Sequence, residues 1–268
     1  MPALPPLCRL GIGLSAIFGA SCAPTTGPAD IQAPNPSAQP VNQLVIAGNA
    51  CGPAALLASI RAGNSNWTKL ADQLPGKSDR ATLNYLIRAH GLKPSRHLKN
   101  RNRWTREGIN APDLTDLAGE VAALAGLTPP SYALVDARAS EPPEKSARRF
   151  HQRVTTSLSH GFPPIVKIQR YVKRDGQWHP LQSHFVTIVR ITRDDTRPQP
   201  AWTFSYFDPW GGKKSTGTWQ IASASHDTST VPLPTPLTAI MPDAHIGRSQ
   251  APNNSRSTLA PTVFIGIW

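Results

Sequence analysis

The sequence predicts an α+β domain, with helices in the first half of the folded region and antiparallel strands in the second. Three observations predict it. Between residues 50 and 160, apolar residues recur at three- and four-residue spacing between capping residues and glycine stops. Between residues 164 and 221, short β-branched and aromatic runs are separated by Asp175-Gly176 and Gly211-Gly212 turn signals. Outside these regions proline, 28 of 268 residues, concentrates at 2–40 and 232–261, so extended flanks surround one denser core.

The N-terminal flank has an internal order of its own. Arg9 precedes Leu10 to Ala20, an apolar stretch of about eleven residues that ends in small residues, as in an export signal. It is too short to span a bilayer. The Ala20-Ser21-Cys22 junction resembles a bacterial lipoprotein signal, which implies a lipid anchor on Cys22 and a position in the periplasm or cell envelope. The domain organisation read from the sequence is therefore a signal peptide at 1–21 and a Pro-rich tether at 22–42. A folded domain at 43–221 and an irregular Pro/Ser-rich extension at 222–268, with room for a final strand, complete it.

Of three cysteines, Cys8 and Cys22 fall in the signal or at its junction, which leaves Cys51 alone in the folded region. A lone thiol carried into an oxidising compartment is a candidate for reactivity. Its surroundings sharpen the case, because Cys51-Gly52-Pro53 opens an Ala/Leu-rich helix that stops at Gly63. A thiol at a helix N-terminus meets unpaired N–H groups and the positive end of the macrodipole, both of which favour the thiolate. Leu56, Leu57 and Ile60 are expected to bury this helix, and Gly52 to leave space beside the sulfur for a substrate backbone.

Further helices follow. Ser78 or Asp79 starts one through Leu83, Leu86 and His90 to Gly91; Asn110 and Pro112 start another that stops at Gly126; a third runs from about Glu144 to Ser159. Strands are expected near Pro164–Val172, His184–Ile191, Trp202–Asp208 and Thr216–Ile221.

A thiolate nucleophile needs a base, and the eight histidines are not equivalent. His90, His97, His151 and His160 read as surface or helix-end residues, and His179, His226 and His245 lie in turn-rich or polar stretches. His184 instead opens a β-branched core run. Pairing that run with Trp202–Asp208 as a symmetric hairpin brings Asp208 opposite His184, where a carboxylate can orient an imidazole.

The chain order Cys, His, Asp, together with CGPAALL at 51–57, GFPPIVKI at 161–168, HFVTIV at 184–189 and FDPWGG at 207–212, resembles the papain-clan peptidases that process bacteriocin leader peptides. The resemblance covers about residues 43–221. It implies a papain-like two-lobe fold, a helical lobe with the nucleophile at a helix start and a lobe of antiparallel sheet. It also implies Cys51 as nucleophile, His184 as general base and then acid, and Asp208 as the orienting group. In that family a glutamine six residues before the nucleophile donates to the oxyanion; Val45 occupies that position here, which leaves Gln43 or Asn49 as stand-ins. The implied activity is a cysteine peptidase (thiol hydrolase) acting on a peptide or protein substrate with no cofactor. A peptidoglycan stem-peptide endopeptidase or amidase, and a non-catalytic binding lipoprotein, are the alternatives.

Net charge is +12 over the whole chain, and loss of Arg9 with the signal removes one unit. Lys99, Arg101, Arg103 and Arg106 around Trp104 form a basic run, read as a solvated loop because no groove-reading motif accompanies it. Nucleic acid is not expected as a partner, nor is a metal, since no His/Cys/Asp cluster has ligand spacing along the chain.

Overall fold

The computed structural model describes residues 30–136, 141–194, 200–222, 233–251 and 256–268. Helices α1 (Cys51–Ala62), α2 (Ser65–Gln73), α3 (Asp79–Leu86), α4 (Ala111–Ala123) and α5 (Pro143–Ser159) precede a large antiparallel sheet. The α+β class expected from the sequence is the class observed. Caps fall where short polar side chains were expected. Ser78 accepts from the Ala81 N–H, and Asn110 accepts from the Asp113 N–H ahead of Pro112.

The principal strands are β5 (Ile165–Arg174), β6 (Gln177–Asp194), β7 (Ala201–Asp208), β8 (Lys213–Ile221), β9 (Leu237–Ile240) and β10 (Ser257–Gly266). Pairings run β6–β5–β10–β9–β8–β7, and β7 pairs again with β6, so the sheet closes on itself. Closure leaves these strands no free edge where they pair. The β5–β6 hairpin turns through Asp175 at φ 50° and Gly176 at φ 72°, the left-handed pair that matches strand twist. Trp202, Phe204 and Trp219 are buried, with Phe204 stacked on Trp219 at 3.9 Å between ring centroids. Burial of each such side chain is worth about 2–3 kcal/mol. Gly217 permits the stack, since a Cβ there would lie 2.6 Å from the Phe204 ring.

Both flanks enter the fold. β1 (Asp30–Gln32) lies in the stretch read as tether, yet it pairs with β6, and Asp30 holds the Arg190 guanidinium through both carboxylate oxygens. Asn35 then bonds the carbonyls of Arg61 and Ala62 at the end of α1. β9 and β10 lie in the stretch read as an irregular extension, and β10 sits centrally between β5 and β9. Pro261 occupies a bulge between β10 and β5, one of the few sheet positions that tolerate a missing N–H. β4 (Ser131–Leu134) also pairs with β10, and the short hairpin of β2 (Trp104–Thr105) and β3 (Gly108–Ile109) abuts the start of α1. Among the described residues no helix is long and apolar enough to cross a membrane.

α1 is buried from Gly52 to Ile60 on every side, which ties it into the core rather than onto a surface. Thr187 on β6 donates its hydroxyl to the Ala55 carbonyl at 2.7 Å, and Ser59 approaches the same hydroxyl at 3.3 Å. This buried polar contact fixes the start of α1 against β6.

Candidate active site

Cys51 opens α1 with its thiol half-buried. The amides of Cys51 and Gly52 belong to the first helical turn and have no intrahelical acceptor, while Pro53 has no N–H to leave unpaired. The role expected for Gly52 is corrected by its packing. A Cβ there would stand 2.4 Å from Ile109 Cγ2 and 3.3 Å from Leu114, so the missing side chain makes room for β3 and α4, not for substrate.

His184 and Asp208 meet as expected, though by a different register. Thr187 lies opposite Phe207, whereas a symmetric hairpin would oppose Thr187 to Ser205, a displacement of two residues. A displacement of two keeps side chains on their faces at this end of the hairpin, so the pair survives it; beyond the bulge between Ile188 and Arg190 the displacement is three. His184 Nε2 is 2.7 Å from Asp208 Oδ1, and both residues are buried. The Asp208 carboxylate also accepts from the Trp210 N–H at 2.8 Å, which anchors it in the turn after β7.

With Nε2 engaged by Asp208, Nδ1 is left for the thiol, and His184 and Cys51 lie close enough to act on each other's charge. Burial pushes the Cys51 pKa up, but the His184 bond and charge, with the Phe185 and Gly52 backbone N–H groups, outweigh it and hold the thiol below its ordinary value. Burial likewise opposes the imidazolium, and the Asp208 and Cys51 interactions override it and raise His184 to about 9. Both shifts favour the thiolate–imidazolium form over the neutral pair. Lys167, half-buried on β5 across from Phe185, lies within electrostatic reach. Burial lowers its pKa and the Cys51 charge acts against that.

The two amides expected at the oxyanion position have different partners. Gln43 is fully buried in a short 3-10 turn (Gln43–Val45); its backbone N–H bonds the Pro209 carbonyl, and one amide hydrogen goes to the Gly48 carbonyl. Its Oε1 has no partner among the described residues. Gly48 in turn packs under the Trp210 ring, so Gln43 stands beside the Asp208–Trp210 turn. The Asn49 amide bonds the Thr105 and Arg106 carbonyls and braces the β2–β3 hairpin. Cys22, the expected lipid site, lies outside the described residues, as does His226.

Other expectations about charge are corrected by burial. Arg103, read as part of a solvated run, is 3 % exposed and bonds Glu120, and Trp104 donates to the Asn49 carbonyl. His90 is buried against Glu120, and His151 is buried against Trp202 in a ring stack, so neither is a surface residue. Burial and the Arg193 charge lower His151 to about 4. The fold does gather His97, Asp113 and Asp116 within 4.8 Å. Asp113 is bonded by Ser95 and Asn110, and Arg103 stands 3.8 Å from Asp116.

Sequence reasoning missed Thr187, Trp210 and the 241–250 segment. Trp210 was visible in the FDPWGG motif, but nothing in the linear sequence signals that residues 245–250 fold back beside His184. No protein-family model and no curated protein matches the chain.

Proposed function

We propose that the chain is a cysteine peptidase-like hydrolase with a papain-like arrangement of its helical and sheet regions, exported and anchored through Cys22, that cleaves peptide or isopeptide bonds. The observation that carries this reading is the Cys51–His184–Asp208 chain of contacts at the N-terminus of a buried helix. The Cys51 thiolate attacks the scissile carbonyl carbon, and the Cys51 N–H with the free amide hydrogen of Gln43 receives the negative charge on oxygen. The imidazolium then gives its proton to the leaving nitrogen, the C–N bond breaks, and an acyl-Cys51 ester remains. His184 next takes a proton from water, hydroxide adds to the ester, and the acid departs with the thiolate restored. Asp208 holds the imidazole in the tautomer and orientation both steps need. No cofactor enters this sequence.

A peptide-binding role without turnover is favoured by one observation, the bond that already engages the Gln43 amide with Gly48. Hydrolysis of p-nitrophenyl acetate separates the two readings. The hydrolase gives a burst of nitrophenol equal to the protein present, an acetyl adduct on Cys51 and continued turnover, all absent from Cys51→Ala. A binding protein gives no turnover beyond the first equivalent. The anchoring part of the reading is tested by Cys22→Ser, which should release a detergent-partitioning protein into the soluble fraction or block its processing.

A further inference from the structure

Next to the imidazole–carboxylate pair lies a cavity of about 440 Å³ bounded by His184, Asp208, Trp210, Gln182, His245 and Arg248, with Cys51 not among its lining residues. One wall comes from the 241–250 segment, and that wall is fastened to the sheet. The Gly247 N–H donates to the Gln182 side-chain oxygen at 2.6 Å, and the Arg170 guanidinium bonds the Ile246 carbonyl and, at 3.0 Å, the Ser257 hydroxyl. Both Gln182 and His184 belong to β6, so the wall is held in fixed relation to the imidazole.

The charge inside this cavity is unbalanced. Its single carboxylate, Asp208, is already engaged by His184 and the Trp210 N–H. Among the described residues the Arg248 side chain bonds a neutral group, the Pro242 carbonyl at 2.8 Å. His245 stands beside it, and the adjoining hollow adds Lys213 and Lys214 against a single acid, Asp243.

We propose that this cavity is the leaving-group subsite of the thiol hydrolase and that Arg248 selects substrates carrying a carboxylate just beyond the scissile bond. The inference rests on the peptidase reading of Cys51 and His184. In that chemistry the departing nitrogen accepts the imidazolium proton, so the leaving part of the substrate must lie on the His184 side of the sulfur. The cavity is lined by His184 and not by Cys51. The carboxylate can come from an acidic side chain or from a free C-terminus.

Thiol alkylation tests this without a known substrate. Three probes are compared: N-chloroacetyl-glutamine amide (neutral), N-chloroacetyl-glutamate amide (side-chain carboxylate) and N-chloroacetyl-glutamine (terminal carboxylate). In each case the thiolate displaces chloride, forming an S–C bond and breaking the C–Cl bond. At least one anionic probe should alkylate Cys51 about fivefold faster than the neutral one, and which one it is identifies the source of the carboxylate. Arg248→Gln should cut that ratio at least in half, and Arg248→Lys should restore much of it. Lys69→Gln, on the exposed face of α2, should leave it at the wild-type value. Equal rates for all probes, or an equal fall in Lys69→Gln and Arg248→Gln, would overturn the subsite while leaving the reactive thiol intact. A Cys51 that reacts with none of them overturns the peptidase reading and the subsite with it.

Discussion

The Thr187 hydroxyl donates to the Ala55 carbonyl at 2.7 Å, joining the strand that carries His184 to the helix that carries Cys51. Thr187 lies three residues beyond the imidazole and Ala55 four beyond the thiol, both in regular structure. The contact therefore sets the distance between the two reacting groups. Its burial makes it costly to break, because the freed Thr187 hydroxyl is shielded from solvent.

Thr187→Val should act through that distance. It keeps the shape and loses the hydroxyl, so stability should fall by about 1–2 kcal/mol. The informative readout is the pH profile of Cys51 alkylation, which should move toward that of an ordinary thiol while Thr187→Ser keeps the wild-type profile. An unchanged profile in Thr187→Val would confine the contact to a structural role.

Within the triad the effects should be graded. Cys51→Ala should abolish turnover, and His184→Ala should nearly abolish it, since the imidazole carries the proton in both steps. Asp208→Asn should be milder, because the thiolate–imidazolium pair already supports itself and an amide oxygen still caps Trp210. Asp208→Ala loses that cap too and should melt earlier than Asp208→Asn. Steady-state rates with thermal melts separate the chemical from the structural loss. An Asp208→Asn as damaged as Cys51→Ala would show that the carboxylate does more than orient.

Gln43 and Asn49 should part company. Gln43→Ala removes a buried amide beside the Asp208–Trp210 turn, and loss of an oxyanion donor should lower turnover about a hundredfold or more. Asn49→Ala should loosen the β2–β3 hairpin, seen as faster amide exchange there, with turnover per folded molecule retained. Equal losses of turnover in the two would contradict the assignment.

His151 should set part of the acid limit. Its pKa is lowered to about 4 in the fold from an ordinary value near 6.5, so the unfolded chain binds the proton more readily. The stability it allows is complete above about pH 6.5 and is lost as pH falls toward 4, by up to about 3 kcal/mol. His151→Phe keeps the stack on Trp202 and should flatten the stability profile between those pH values; a profile as steep as wild type would place the titration elsewhere.

Much of the site was legible because its signals are local. A cysteine before Gly-Pro at a helix start, a histidine at the head of a β-branched run and an aspartate before Pro-Trp-Gly-Gly each declare their setting within a few residues. The pairing of His184 with Asp208 was recovered despite the wrong hairpin register because the error is even on their side of the bulge at Ile188–Arg190, and parity decides the face. What was not legible depends on contacts distant in sequence. Asp30 reaches Arg190, β10 enters the sheet next to β5, and Gly247 reaches Gln182. Proline-rich composition argues against such pairing, and only the bulge at Pro261 and the closure of the sheet explain it. Gly52 shows the same limit at close range, since its role is set by Ile109 and Leu114, more than fifty residues away.

The central claim is that Cys51 and His184 exist as a thiolate–imidazolium pair. The rate of Cys51 alkylation by iodoacetamide as a function of pH tests it most directly. The account predicts that the rate rises at a pH well below the value of about 8.5 typical of a free thiol. It should then stay level while His184 remains charged and change again near pH 9, where the imidazolium releases its proton. His184→Ala should remove the early rise. A single titration near 8.5 in the wild type, the same in His184→Ala, would contradict it.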